Sequence, residues 1–98
     1  MESLPDTVYP KFTLGDVVAT PGALELLQSA GKQPLDYIIR HLEGDWGQLD
    51  EHDRLVNEHA LLHGGRLLSS YIIAGDQRLW LITESDRSAT TLLLPSDY

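Results

Sequence analysis

The chain has no cysteine, only seven lysines and arginines against fifteen aspartates and glutamates, and an aromatic content of 7% over 98 residues. The absence of cysteine excludes a disulfide framework, a thiolate nucleophile and a Cys-based zinc site. The shortage of cations leaves a formal charge of −8. A phosphate backbone is repelled at long range by such a chain unless its few cations cluster, so nucleic-acid binding is disfavoured. The carboxylates occur singly or in pairs, which is sparser than a DNA mimic requires, and solubility is their simplest role. Long apolar runs are missing too: Tyr71 to Ala74 and Leu92 to Leu94 fall far short of the ~18 residues that cross a bilayer. The N-terminal Met1-Glu2-Ser3-Leu4-Pro5-Asp6 lacks the basic and apolar regions of a signal peptide, and the expected location is the cytoplasm.

What is present suffices for one hydrophobic core. A chain of this length with 42% hydrophobic residues buries roughly 60–68% of its unfolded surface, so one domain is expected over residues 11–98 behind a flexible leader at 1–10. The segment from Phe12 to Val18 reads as a short strand. Thr20 followed by Pro21 is a helix start, because the threonine oxygen accepts from free amides and proline fits the first helical position. That helix should end at Ala30, before Gly31. Pro34 opens a second, with Leu35, Ile38, Ile39 and Leu42 as its buried stripe. Gly44-Asp45-Trp46-Gly47 breaks it, with Trp46 as an anchor. Asp50 caps a third helix through Leu62, with Leu55, Val56, Leu61 and Leu62 as candidate inward positions. Beyond Gly64-Gly65 the pattern becomes that of strands, at Tyr71-Ile72-Ile73, Leu79 to Thr83 and Ala89 to Leu94. The expected fold is α+β: three N-terminal helices packed on a three- to four-stranded antiparallel meander.

Two constellations could carry chemistry. His52, His59 and His63 project from nearly one face of the third helix, as zinc ligands can. The His-Glu-x-x-His order is absent and the last histidine falls at a helix end, so a solvated polar face is the better reading and no metal or other cofactor is expected. The second set is scattered: His41 at a helix end, with Glu84, Asp86 and Arg87 on the loop between two strands. A metal-independent ribonuclease of the barnase-like kind needs a base, an acid and a cation for the developing phosphorane charge, and His41, Glu84 and Arg87 could fill those catalytic roles. Simpler readings exist for each: His41 suits a helix C-terminus, Arg87 suits an ion pair with its loop carboxylates, and Trp46 and Trp80 suit the core.

At Val18-Ala19-Thr20-Pro21-Gly22-Ala23-Leu24, at Arg40-His41-x-x-Gly44-Asp45-Trp46-Gly47 and from Trp80 through Thr83-Glu84-x-Asp86-Arg87-Ser88 to Pro95, the chain resembles a family of small plasmid-related bacterial proteins. Some of its members carry the label "type I restriction endonuclease subunit M". The resemblance covers about residues 12 to 98 and implies a bacterial, cytoplasmic protein whose signature concentrates around His41 to Gly47 and Thr83 to Pro95. The label does not imply methyl transfer here, because the chain has neither the Gly-rich turn nor the Asn/Asp-Pro-Pro-Tyr/Phe motif of such a subunit.

Together these features point to a non-enzymatic interaction or accessory module, in a mobile-element or defence context, that binds a protein partner through the sheet face or the loop at Thr83 to Ser88. Asp45, Trp46, Asp86 and Arg87 are the candidate partner-binding residues, and a homodimer through an edge strand or the sheet is the expected assembly. The ribonuclease built on His41, Glu84 and Arg87 is the alternative.

Overall fold

A computed structural model describes residues 8–98, so the expected leader lies mostly outside the described residues. The order of elements is β1 (Asp16–Ala19), α1 (Pro21–Ser29), α2 (Pro34–Leu42), α3 (Glu51–His63), β2 (Leu67–Ala74), β3 (Gln77–Thr83) and β4 (Ala89–Leu93), closed by a 3-10 turn at Pro95–Asp97. None of these helices is long and apolar enough to cross a membrane.

The local signals act as their chemistry requires. Thr20 Oγ1 accepts from the Ala23 amide at 3.1 Å, with Pro21 at the first helical position. Asp50 Oδ1 accepts from the Asp53 amide at 2.8 Å. Each cap satisfies a donor that has no partner within its helix. Gly64, at φ +86°, ends α3 in a conformation that costs glycine nothing.

The expectation of an antiparallel meander is overturned. The sheet is mixed, in the order β1-β4-β3-β2, and β1 runs parallel to β4 from Asp16 beside Ala89 to Ala19 beside Leu92. The remaining neighbours, β4 with β3 and β3 with β2, are antiparallel. Apolar alternation marks a strand but carries no information about its direction. A parallel pair needs a long crossover, and here everything from α1 to β3 lies between the two strands.

All three helices pack on one face of the sheet. Ala23, Leu26 and Leu27 of α1 and Tyr37 of α2 meet Tyr71, Ile73, Leu79, Leu81 and Leu92 in the main core. A second cluster joins Trp46, Ala60 and Leu67, with Phe12, Leu49 and Leu61 beside it. Two expected helix faces are corrected. In α2 the buried residues are Tyr37, His41 and Leu42, while Leu35 is exposed. In α3 the buried residues are Asn57 and Ala60, whereas Leu55, Val56 and Leu62 point to solvent at 61%, 49% and 81% exposure. Both helices have more apolar positions than core-facing ones, and packing against β2 decides which positions turn inward.

Candidate functional site

His41 lies where the two core clusters meet and is completely buried. It joins Ser69 on β2 to Thr83 on β3, with Nδ1 at 2.5 Å from Ser69 Oγ and Nε2 at 2.9 Å from Thr83 Oγ1. The chain of hydrogen bonds continues from Thr83 Oγ1 to Thr90 Oγ1 at 2.7 Å, and Thr90 donates to the Leu14 carbonyl at 2.8 Å. That last bond orients all the others. A hydroxyl has one proton, so Thr90, having given its own to a carbonyl, accepts from Thr83. Thr83 in turn accepts from His41 Nε2–H, which fixes a proton on Nε2. The buried ring is neutral, so Nδ1 accepts from Ser69. Burial disfavours its charged form and lowers its pKa to about 4. The rings of Phe12 and Trp46 stand edge-on to it at 5.2 and 5.7 Å.

Arg87 serves the fold in a different way. Its backbone has φ +62°, the only positive value at a non-glycine among the described residues, in a region that costs such a residue of order 1 kcal/mol. Its guanidinium gathers carbonyls: Nη1 donates to Gly65 at 2.6 Å, Glu84 at 3.1 Å and Ser85 at 3.2 Å, and Nη2 donates to Ala60 at 3.0 Å. The side chain thus satisfies the C-terminal end of α3 and ties the α3–β2 connection to the β3–β4 loop. Asp86 shapes the same loop by accepting from the Ser88 amide at 3.0 Å, and hydrogen bonding by the Ser88 hydroxyl and amide holds its carboxyl below the usual range. Glu84 turns to Arg66, 3.8 Å away, with both side chains nearly half exposed.

Arg87 bonds the Glu84 carbonyl and stands 6.0 Å from the centre of the Phe12 ring that also covers His41, but among the described residues the side chains of His41, Glu84 and Arg87 are joined by no hydrogen bond or ion pair and each has other partners. His41 is sealed beneath Phe12 and Trp46 with both ring nitrogens engaged, Glu84 sits near the surface against Arg66, and Arg87 is occupied by backbone carbonyls. The three histidines of α3 form no group of three or more metal-ligating side chains among the described residues, although the rings of His59 and His63 lie 4.5 Å apart.

The turn after α2 closes one edge of the sheet. Trp46 is buried and donates from Nε1 to Glu58 at 2.8 Å. Its carbonyl accepts from Ser70 N at 3.0 Å, and Gln48 N donates to Ser70 O at 2.6 Å, so the segment lies along β2 as a short strap. Gly47 is required there, because it has φ +73° and a Cβ would collide with the Ser70 carbonyl and the Tyr71 ring. Asp45 pairs with Arg40 at 2.8 Å, each about half exposed, which lowers the Asp45 carboxyl's pKa and raises that of the guanidinium. Tyr71 Oη donates to the Asp45 carbonyl at 2.6 Å.

Sequence reading missed Asn57. Its Nδ2 donates to the Leu68 carbonyl at 2.7 Å and its Oδ1 accepts from the Leu68 amide at 3.1 Å. One side-chain amide thereby replaces a neighbouring strand on the β2 edge. The only sequence signal was an asparagine among apolar positions of a helix.

Among the described residues, no α-helix packs on the opposite face of the sheet. The strand registers align Leu68, Ile82, Thr91 and Val18 in one row and Ser70, Trp80 and Leu93 in the next. Tyr98 leans on Trp80 with ring centroids 5.9 Å apart, and its hydroxyl accepts from Arg66 Nη1 at 2.8 Å. Arg66, Leu67, Leu68, Trp80, Ile82 and Tyr98 line an open, mainly apolar groove of about 260 Å³. Comparison of the chain with protein-family models, curated proteins and solved structures finds no match, so what this surface does has to be read from its own geometry.

Proposed function

We propose that this chain is a non-catalytic interaction module that binds a protein partner on the helix-free face of its sheet. The observation that carries the reading is the groove between Leu68, Trp80, Ile82 and Tyr98, an apolar strip with one cation, Arg66, at its rim. An aromatic anchor beside aliphatic side chains and an arginine is the composition found at the centre of protein interfaces. The assignment of the signature residues agrees with it. His41, Trp46, Thr83, Arg87 and Thr90 are engaged inside the fold, which leaves the sheet face to meet another molecule. The resemblance to the plasmid-related family sets such a module in a mobile-element or defence context.

The test compares proteins retained by the wild-type chain with those retained by Leu68→Glu and Trp80→Ser variants of equal thermal stability. The expected result is one stoichiometric protein partner that both substitutions release. Retention unaffected by either substitution counts against the sheet face. Incubation with total bacterial RNA in the presence of chelator is expected to leave the RNA intact. Cleavage that His41→Ala abolishes at matched stability would overturn the non-catalytic reading.

A further inference from the structure

Helix α3 is turned inside out. Its fully buried residues are Asn57 and Ala60, at 2% and 3% exposure, and of its four large aliphatic residues only Leu61 leans on the core, while Leu55, Val56 and Leu62 are 49% to 81% exposed. At about 100° per residue, His52, Leu55, Val56, His59, Leu62 and His63 form one stripe centred on the side directly away from Asn57. Apolar residues at helical spacing normally face a core, and this stripe faces none among the described residues. It lies on the helical side of the sheet and is independent of the groove proposed above.

We infer that this stripe is the contact between two copies of the chain, with their α3 helices packed antiparallel about a two-fold axis. The order of side chains names the occupant. Along the seam the residues run His52, Leu55, His59, Leu62, at the alternating spacings of three and four that bring helices together. Read in the opposite direction, the same seam runs leucine, histidine, leucine, histidine. An antiparallel copy therefore sets His52 against Leu62 of its partner and Leu55 against His59 of its partner, then repeats both pairs by symmetry. Each of the four layers holds one leucine and one imidazole, so no layer is empty and none stacks two leucines or two imidazoles. Charge permits this occupant. Two copies that each carry −8 repel over most of their surfaces, but the stripe itself has no carboxylate, and of the acids that border it, Glu51 and Glu58, the second is turned to Trp46 Nε1. One short helix from each copy forms a small contact, and the dimer is accordingly of the weak, exchanging class.

Sedimentation equilibrium of the full chain from micromolar to millimolar concentration tests the inference. The wild type should pass from monomer to dimer across this range. The double variant Leu55→Glu, Leu62→Glu alters only exposed positions, should keep its melting temperature, and should associate on the order of 100-fold more weakly. Because the chain has no cysteine, register can be read separately: an equimolar mixture of Leu55→Cys and His59→Cys chains should form disulfide-linked heterodimers faster than either variant links to itself. A wild type that remains monomeric at millimolar concentration leaves the stripe to some other protein's helix and overturns the inference. Association that survives the double substitution overturns it too, as does a mixture that links no faster than its components.

Discussion

Helices α2 and α3 pack on the same sheet and solve opposite problems. Helix α2 sends Tyr37 and Leu42 into the core together with one polar side chain, His41, whose two nitrogens meet hydroxyls on two different strands. Helix α3 attaches by an amide bonded to a strand edge, by a small Ala60 and by a half-buried Leu61, and leaves Leu55 and Leu62 outside. The difference teaches that burial follows available partners as much as residue type. A buried polar group with every hydrogen bond made costs little, and no buried side-chain nitrogen or oxygen among the described residues lacks a partner. A leucine with no cavity to fill stays in solvent.

The comparison breaks most severely at His41. Replacing it with alanine removes a fully buried ring and strands Ser69 and Thr83, and equilibrium urea unfolding should show a loss of about 3–5 kcal/mol. That loss should depend on pH. The imidazole's pKa falls from 6.5 in the unfolded chain to about 4 in the folded one, so the unfolded state takes up the proton first. The stabilisation is complete above about pH 6.5 and declines as pH falls toward 4. The gap between wild type and His41→Ala should thus narrow by about 3 kcal/mol over this window; a gap that stays constant would show that His41 is not held neutral. Next in size is Arg87→Ala, which uncaps the end of α3 and should cost about 1–3 kcal/mol by thermal unfolding. The smallest effect belongs to the Arg40–Asp45 pair at the end of α2. It is about half exposed on both sides, and a double-mutant cycle should give a coupling of under about 1 kcal/mol that shrinks in salt.

The sequence was legible where a local rule governs. Thr20-Pro21, Asp50 and Gly64 mark helix ends through backbone amides and φ angles a few residues away. It was illegible where distant segments choose one another. Nothing near Val17 says that β1 will lie parallel to β4, and the outward turn of Leu55 and Leu62 follows from the bonding of Asn57 to Leu68. The candidate site was half visible. His41, Asp45, Trp46, Asp86 and Arg87 stand out in the sequence, but the chain from Ser69 to Leu14 and the carbonyls around Arg87 join residues up to 76 positions apart, and only folding shows that these side chains serve the interior. The open groove beside Trp80 was foreseen only as a sheet face.

The inversion of α3 is tested most directly by urea unfolding of Asn57→Ala and Leu62→Ala at low micromolar protein, below the range in which the proposed dimer forms. Asn57→Ala leaves the Leu68 amide and carbonyl without partners and should lose about 2 kcal/mol, whereas Leu62→Ala should change stability by less than about 0.5 kcal/mol. A loss of about 2–5 kcal/mol at Leu62, the range of a buried leucine, together with a neutral Asn57→Ala would contradict the account.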